Sequence, residues 1–179
     1  MPRFAALLRG VNVGGGNRVP MAEFRALLED LGYTDVATLL NSGNAVFTSG
    51  VRSAERHEQS IRSALAKAVG VDVAVIVKSG ADLLAVQKEN PIRVQGTDAS
   101  RLLVGFASDS ASLAALKDLS SLVRPPERFH VGRHGLYLWC PNGSLQSQAG
   151  KLLLGRRGRA ITTRNWATVL KLVALVAEA

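Results

Sequence analysis

The period of apolar residues changes repeatedly along this chain, and each change marks an element. Phe4 to Arg9 reads as a short strand feeding a glycine-rich loop over 10–17. Beyond Pro20, a residue suited to a first helical turn, Phe24, Leu27, Leu28 and Leu31 recur at helical spacing. Glu23, Arg25, Glu29 and Asp30 lie off that stripe, and Gly32 stops it. Val36–Leu40 and Ala45–Thr48 read as two strands joined by the turn Asn41-Ser42-Gly43-Asn44. Ser53 caps a predicted helix over 54–69, with Ile61, Leu65, Ala68 and Val69 inward and Gly70 at its end. Val73–Val77 is a strand, and Ser79 with Asp82 resembles a capping box for a short helix ending before Asn90-Pro91.

A polar joint, 95–100, separates this from a second series. Leu102–Ala107 is a strand, and Ser110 starts a helix with Leu113, Leu116 and Leu119 inward. Arg128–Gly132 and Leu136–Cys140 form a hairpin around His134-Gly135. A long connection over 141–162 precedes a last helix expected at 163–177, with Trp166, Val169, Leu170, Val173 and Val176 on its apolar face. The fold class is therefore α+β, built from two ferredoxin-like βαββα halves with mostly antiparallel sheets and helices packed on them. Residues 1–98 form the first half, with an extra strand and a short helix, and 99–179 the second, the two packed as one compact unit.

This order has a spatial consequence. A right-handed crossover makes the first two strands parallel, with the third antiparallel between them. The glycine loop and the turn Ser42-Gly43-Asn44 are then neighbours at one sheet edge. Arg9 ends the first strand beside both, and Asp72 belongs to the same end. Successive N–H groups in a glycine loop can cradle an anion, and a following helix N-terminus adds partial positive charge. The spacing is neither a P-loop nor the dinucleotide fingerprint; a loop that merely permits tight packing is the plainer alternative. In the last helix as predicted, Arg164, Thr168 and Lys171 form one polar stripe with Asn165 beside Thr168. Thr162 or Thr163 caps it, and an arginine in the first turn makes most sense with an anion nearby.

Charge sharpens the picture. The net charge is +8, yet Arg128 to Ala177 contains no Asp or Glu and eight basic residues: Arg128, Arg133, Lys151, Arg156, Arg157, Arg159, Arg164 and Lys171. Such a localised surface points to an anionic partner, with general solubility as the plain alternative. Arg156, Arg157 and Arg159 sit among glycines, where they can swing toward a polyanion. Cys140 is the only cysteine, which fits a reducing cytoplasm. The N-terminal apolar run is too short for a signal peptide, and the C-terminal one, broken by Lys171, is far short of a membrane span.

Three segments carry a family resemblance: Leu8-Arg9-Gly10-Val11-Asn12-Val13-Gly14-Gly15, then Ser42-Gly43-Asn44, then Thr163-Arg164-Asn165-Trp166 followed by Thr168-Val169. In this order they resemble the bacterial domain-of-unknown-function 1697 family, over nearly the whole chain, with the family's Lys-Leu segment recurring at Lys151-Leu152. The resemblance implies an α+β fold with duplicated halves and no established activity or cofactor. The chain departs where relatives carry a lysine at the position of Gly16 and a glutamine at that of Asn41.

Other chemistry is poorly represented. His57, His130, His134 and Cys140 show no zinc spacing, no nucleophile elbow occurs, and Cys140 precedes Pro141 at an apolar strand end. Strands one and three offer only Phe4 and Phe47 for stacking bases, against a sequence-specific RNA reader. The best-supported expectation is binding of a phosphate-rich anionic ligand, a nucleotide or nucleic acid. The binding candidates are Arg9, Asn12, Gly14, Gly15, Ser42, Gly43, Asn44, Lys151, Arg164, Asn165 and Thr168. An enzyme acting on a small anionic substrate, with Arg9, Asn12, Asn44 and Arg164 as orienting donors, is the alternative; a protein-interaction or structural role is third. No metal, cofactor or membrane partner is indicated.

Overall fold

A computed structural model describes residues 1–70 and 72–177. They form two compact units, each built on one four-stranded antiparallel sheet. The division falls at 81/82, inside a helix, rather than at the expected 98/99. Residues 172–177 belong with the first unit.

The first unit runs β1 (Arg3–Leu8), α1 (Met21–Asp30), β2 (Thr34–Leu39), β3 (Asn44–Thr48), α2 (Ala54–Val69) and β4 (Val75–Ser79). Its sheet order is β2-β3-β1-β4, so β3 lies between β1 and β2 as the crossover argument requires. Phe4, Ala6, Leu8 and Phe47 alternate onto the face covered by Phe24 and Leu28 of α1 and Ile61 and Leu65 of α2. Each large side chain buried there contributes about 1.5–3 kcal/mol. The two phenylalanines are thus core residues rather than stacking platforms. Ala68 is exposed; the inward position is taken instead by His57, one turn before Ile61. His57 Nε2 donates to Val51 O (2.9 Å), so Nδ1 accepts from the Tyr33 hydroxyl (2.8 Å), and the rings of Phe4, Tyr33 and Phe47 surround it. Ser53 caps α2 through Arg56 N (3.2 Å).

The second unit begins within α3 (Gly80–Glu89). It continues through β5 (Leu102–Ala107), α4 (Ser110–Ala114), β6 (Arg128–Val131), β7 (Leu136–Trp139), α5 (Gln148–Leu154) and β8 (Ile161–Asn165) into α6 (Trp166–Ala177). Its order, β6-β7-β5-β8, repeats the first. The expectation of a second half lacking its last strand is therefore corrected. The stretch read as a connection contains α5 and leads into β8, and the last helix starts three residues later than expected. β8 escaped notice because Thr162-Thr163-Arg164-Asn165 is polar, although its burial pattern is that of a strand. α5 has only seven residues, too few to show a helical period. The duplication holds in register: Phe4 and Ala5 face Ser79 and Lys78, and Leu103 and Val104 face Asn165 and Arg164. In both units a helix starts at the next residue. No helix among the described residues is long and apolar enough to cross a membrane.

Candidate functional site

The glycine loop closes on itself. Val11 and Asn17 form a bridge, Asn12 N donates to Asn17 O (2.8 Å), and Gly16 N donates to Val13 O (2.9 Å). Asn12 adopts φ 56°, a left-handed conformation that asparagine tolerates better than most residues. Its side-chain amide is fully used. Oδ1 accepts from Val19 N (2.9 Å), and Nδ2 donates to Val19 O (2.8 Å) and Asn41 O (2.7 Å). Asn12 therefore ties the loop to its own exit and to the β2–β3 turn.

That turn is the predicted neighbour. Leu8 N donates to Gly43 O (2.8 Å), joining β1 to it. Gly43 has φ 83°, and a Cβ there would stand 2.7 Å from both Leu8 Cβ and Val11 Cγ2, so only glycine fits. Asn44 is fully buried, with Nδ2 donating to Leu39 O (2.8 Å) and Ser42 Oγ (2.9 Å). Arg9 N bonds Ala74 O (3.0 Å), which brings the start of β4 to the same end. Asp72 lies there too, but Arg62 grips both its carboxylate oxygens. That pairing holds the Asp72 carboxyl below its ordinary range, which removes it as a base for the loop. The glycine loop, the Ser42–Asn44 turn and Arg9 thus assemble as expected.

Beside them opens a cleft of about 610 Å³, lined by Asn12, Gly14, Gly15, Gly16, Arg18, Val19, Pro20, Met21 and Asn41. Arg18 missed selection because it lies outside the glycine run; its signal was its place just before Pro20. Pro20 precedes α1, whose N-terminus no side chain caps. The departure at Gly16 has a geometric reason: a Cβ there would come within 2.7 Å of Gly10 O, so this loop has no room for a lysine.

The other four candidates belong to the second unit. Lys151 is exposed on α5. Arg164 is not in a helical first turn but in β8, opposite Val104, and it is buried. It donates to Thr162 Oγ1 (2.8 Å) and Thr163 O (2.7 Å), and burial lowers its pKa to about 10. Asn165 is the residue that caps α6, replacing Thr162 or Thr163 in that role. Its Oδ1 accepts from Thr168 N and Thr168 Oγ1, both at 2.9 Å. The polar stripe Arg164–Thr168–Lys171 therefore does not exist; two of its members build the strand-to-helix junction. By register, Arg164 and Asn165 correspond to Lys78 and Ser79, at the sheet end opposite the glycine-loop position. Cys140 is buried, which raises its thiol pKa.

An anion receptor that sequence reading missed lies in the β6–β7 turn. Backbone N–H groups of Arg133 (2.6 Å), His134 (3.1 Å) and Gly135 (3.1 Å) converge on the Glu89 carboxylate, and the Tyr137 hydroxyl adds a contact at 3.0 Å. Burial first, and Glu89 second, push the Tyr137 hydroxyl pKa well above its usual value. The turn was legible, but its carboxylate comes from 44 residues upstream, beyond the reach of local spacing.

A family model described as "Protein of unknown function (DUF1697)" matches residues 1–137. A solved structure of the conserved bacterial protein SP0830 from Streptococcus pneumoniae is similar over 98% of each chain, at 28% identity and a TM-score of 0.79. No curated protein matches.

Proposed function

We propose that this chain, which belongs to the DUF1697 family of proteins of unknown function, binds a phosphate-bearing small anion of roughly nucleotide size in the cleft beside its glycine loop. The observation that carries this reading is the composition of the cleft wall. Arg18 is the one charged residue among the described residues that line it, Gly14 and Gly15 are exposed with no atom where a side chain would project, and the uncapped start of α1 borders the same space. Backbone N–H groups, a guanidinium and a helix N-terminus all favour negative charge. The volume falls within the range of about 300–1,000 Å³ usual for ligand pockets.

Binding is favoured over catalysis because the described residues that line the cleft include no carboxylate, histidine, thiol or hydroxyl. Neither general acid–base nor nucleophilic chemistry has a side chain there. Asn12 and Asn44, considered as substrate donors, spend their amide hydrogens on the fold. The same reading puts the protein in a reducing cytoplasm, supported by its single buried thiol.

Thermal-shift titration with inorganic phosphate and mono-, di- and triphosphate nucleotides tests it. Ligand at about 100 times its Kd stabilises by about 2.7 kcal/mol, a rise of several degrees. Arg18→Ala is expected to abolish the rise while leaving the unliganded midpoint unchanged. A midpoint flat across the whole series overturns the proposal.

A further inference from the structure

We propose that the arginine turn after α5 is a second anion-binding surface, separate from the glycine-loop cleft, and that it takes the phosphate backbone of a nucleic acid. The sequence there is Gly155-Arg156-Arg157-Gly158-Arg159. The sequence reads as a glycine-punctuated loop whose three arginines can swing toward a polyanion. Instead it is a tight turn pinned at its centre. Gly158 is buried, and a Cβ on it would lie 1.7 Å from Leu153 O, so the turn folds directly onto the end of α5. Arg157 fixes it from the other side. Its two terminal nitrogens bond the two Asp118 oxygens at 3.0 and 2.7 Å, and one also reaches Ala115 O at 3.2 Å.

This clamp does two things. It spends the positive charge of Arg157 on Asp118, the acid beside the turn, so neither adds net charge. It also fixes the backbone from which Arg156 and Arg159 project. Both are exposed, as are Lys151 on α5 and Lys117 next to the clamped aspartate. Arg156 and Arg159 therefore flank a neutralised ion pair in sequence, Lys117 adjoins its acid, and from Arg128 to Ala177 the sequence contains no acid.

Guanidinium groups on a rigid backbone suit discrete phosphates at regular spacing, which they bind through two parallel hydrogen bonds. A fluid lipid surface makes no use of fixed spacing, and a flexible acidic peptide has carboxylates rather than a regular phosphate chain. Nucleic acid is therefore the partner the geometry favours. Arginine contacts to phosphate carry no sequence information, so binding of this kind is sequence-tolerant.

The test is fluorescence anisotropy with labelled single-stranded RNA and duplex DNA between about 50 and about 200 mM salt. Wild type is expected to bind with a negative slope of log K against log salt. Arg156→Ala with Arg159→Ala should reduce that slope by about 2, roughly one per lost phosphate contact. The Arg156→Lys/Arg159→Lys pair should keep the slope and lose affinity several-fold, since an ammonium keeps the charge but not the two-point geometry. Lys67→Ala, exposed on α2 and outside both proposed sites, should leave the titration unchanged, which ties the effect to the arginine turn rather than to surface charge in general. The proposal is overturned if wild type fails to bind at the lowest salt, or if the alanine pair retains the full slope. It is equally overturned if the lysine pair loses the slope. Binding to phosphatidylserine vesicles in place of nucleic acid, or equal competition by polyglutamate, would reassign the surface.

Discussion

The two units place a hairpin turn at the same topological position and finish it differently. In the second, the N–H groups of Arg133, His134 and Gly135 receive the carboxylate of Glu89, so the protein fills its own anion receptor. In the first, the turn at 41–43 is braced by Asn12 and Asn44 and borders a cleft whose charged residue is Arg18. A duplicated scaffold thus offers two equivalent turn ends. One is closed by an internal side chain and serves stability; the other is held open by amide bracing. That contrast is why the small-anion proposal attaches to the turn of the first unit rather than to that of the second.

The sharpest way to break the comparison is at Gly43. Alanine there meets Leu8 Cβ and Val11 Cγ2 at 2.7 Å and must also adopt a positive φ. Gly43→Ala is expected to destabilise by about 3 kcal/mol or more, read as a drop in urea midpoint at constant m-value. A near-neutral result would mean that the turn is plastic and that its bracing does not define the cleft.

Glu89→Ala comes next. It leaves backbone donors facing an empty receptor, with an expected loss of about 2–3 kcal/mol. Acetate or phosphate should then raise the melting temperature of the variant through that receptor, beyond any effect on wild type. Equal response of the two proteins to added anion would show that the turn has no receptor character of its own.

Asn44→Ala is the mildest change. It removes the bonds to Leu39 O and Ser42 Oγ and should cost about 1–2 kcal/mol. An unchanged denaturation midpoint would move Asn44 from bracing to ligand contact and blur the distinction between the turns.

The sequence was most legible where apolar periodicity and turn chemistry agreed. The helix at 54–69 and the strand at 102–107 were located to the residue, and strand order alone brought the glycine loop to Ser42–Asn44. It was least legible where a strand is polar. Thr163 to Asn165 was absorbed into a helix, and Thr162 into the connection before it, because Trp166 onward is strongly helical and the polar run announced no strand. That error carried Arg164 to a solvent-facing stripe when it is in fact buried. The motif residues Asn12, Asn44, Asn165 and Thr168 were candidates for ligand contact, with the short side chains of Asn12 and Asn44 also suited to bonding nearby backbone in turns. Their hydrogen bonds show them bracing turns and capping a helix, a role polarity alone cannot distinguish from binding.

The last helix has a consequence for the protein's birth. Its residues from Leu172 belong with the first unit, where the Arg3 guanidinium donates to Leu175 O across 172 positions of chain. During synthesis, residues 1–81 emerge long before that segment exists. The first unit must wait on the ribosome with part of its own structure untranslated, and it is completed only once the segment 172–177 has left the exit tunnel. A chain truncated before Leu172 is therefore expected to lose stability in its first unit, far from the cut in sequence.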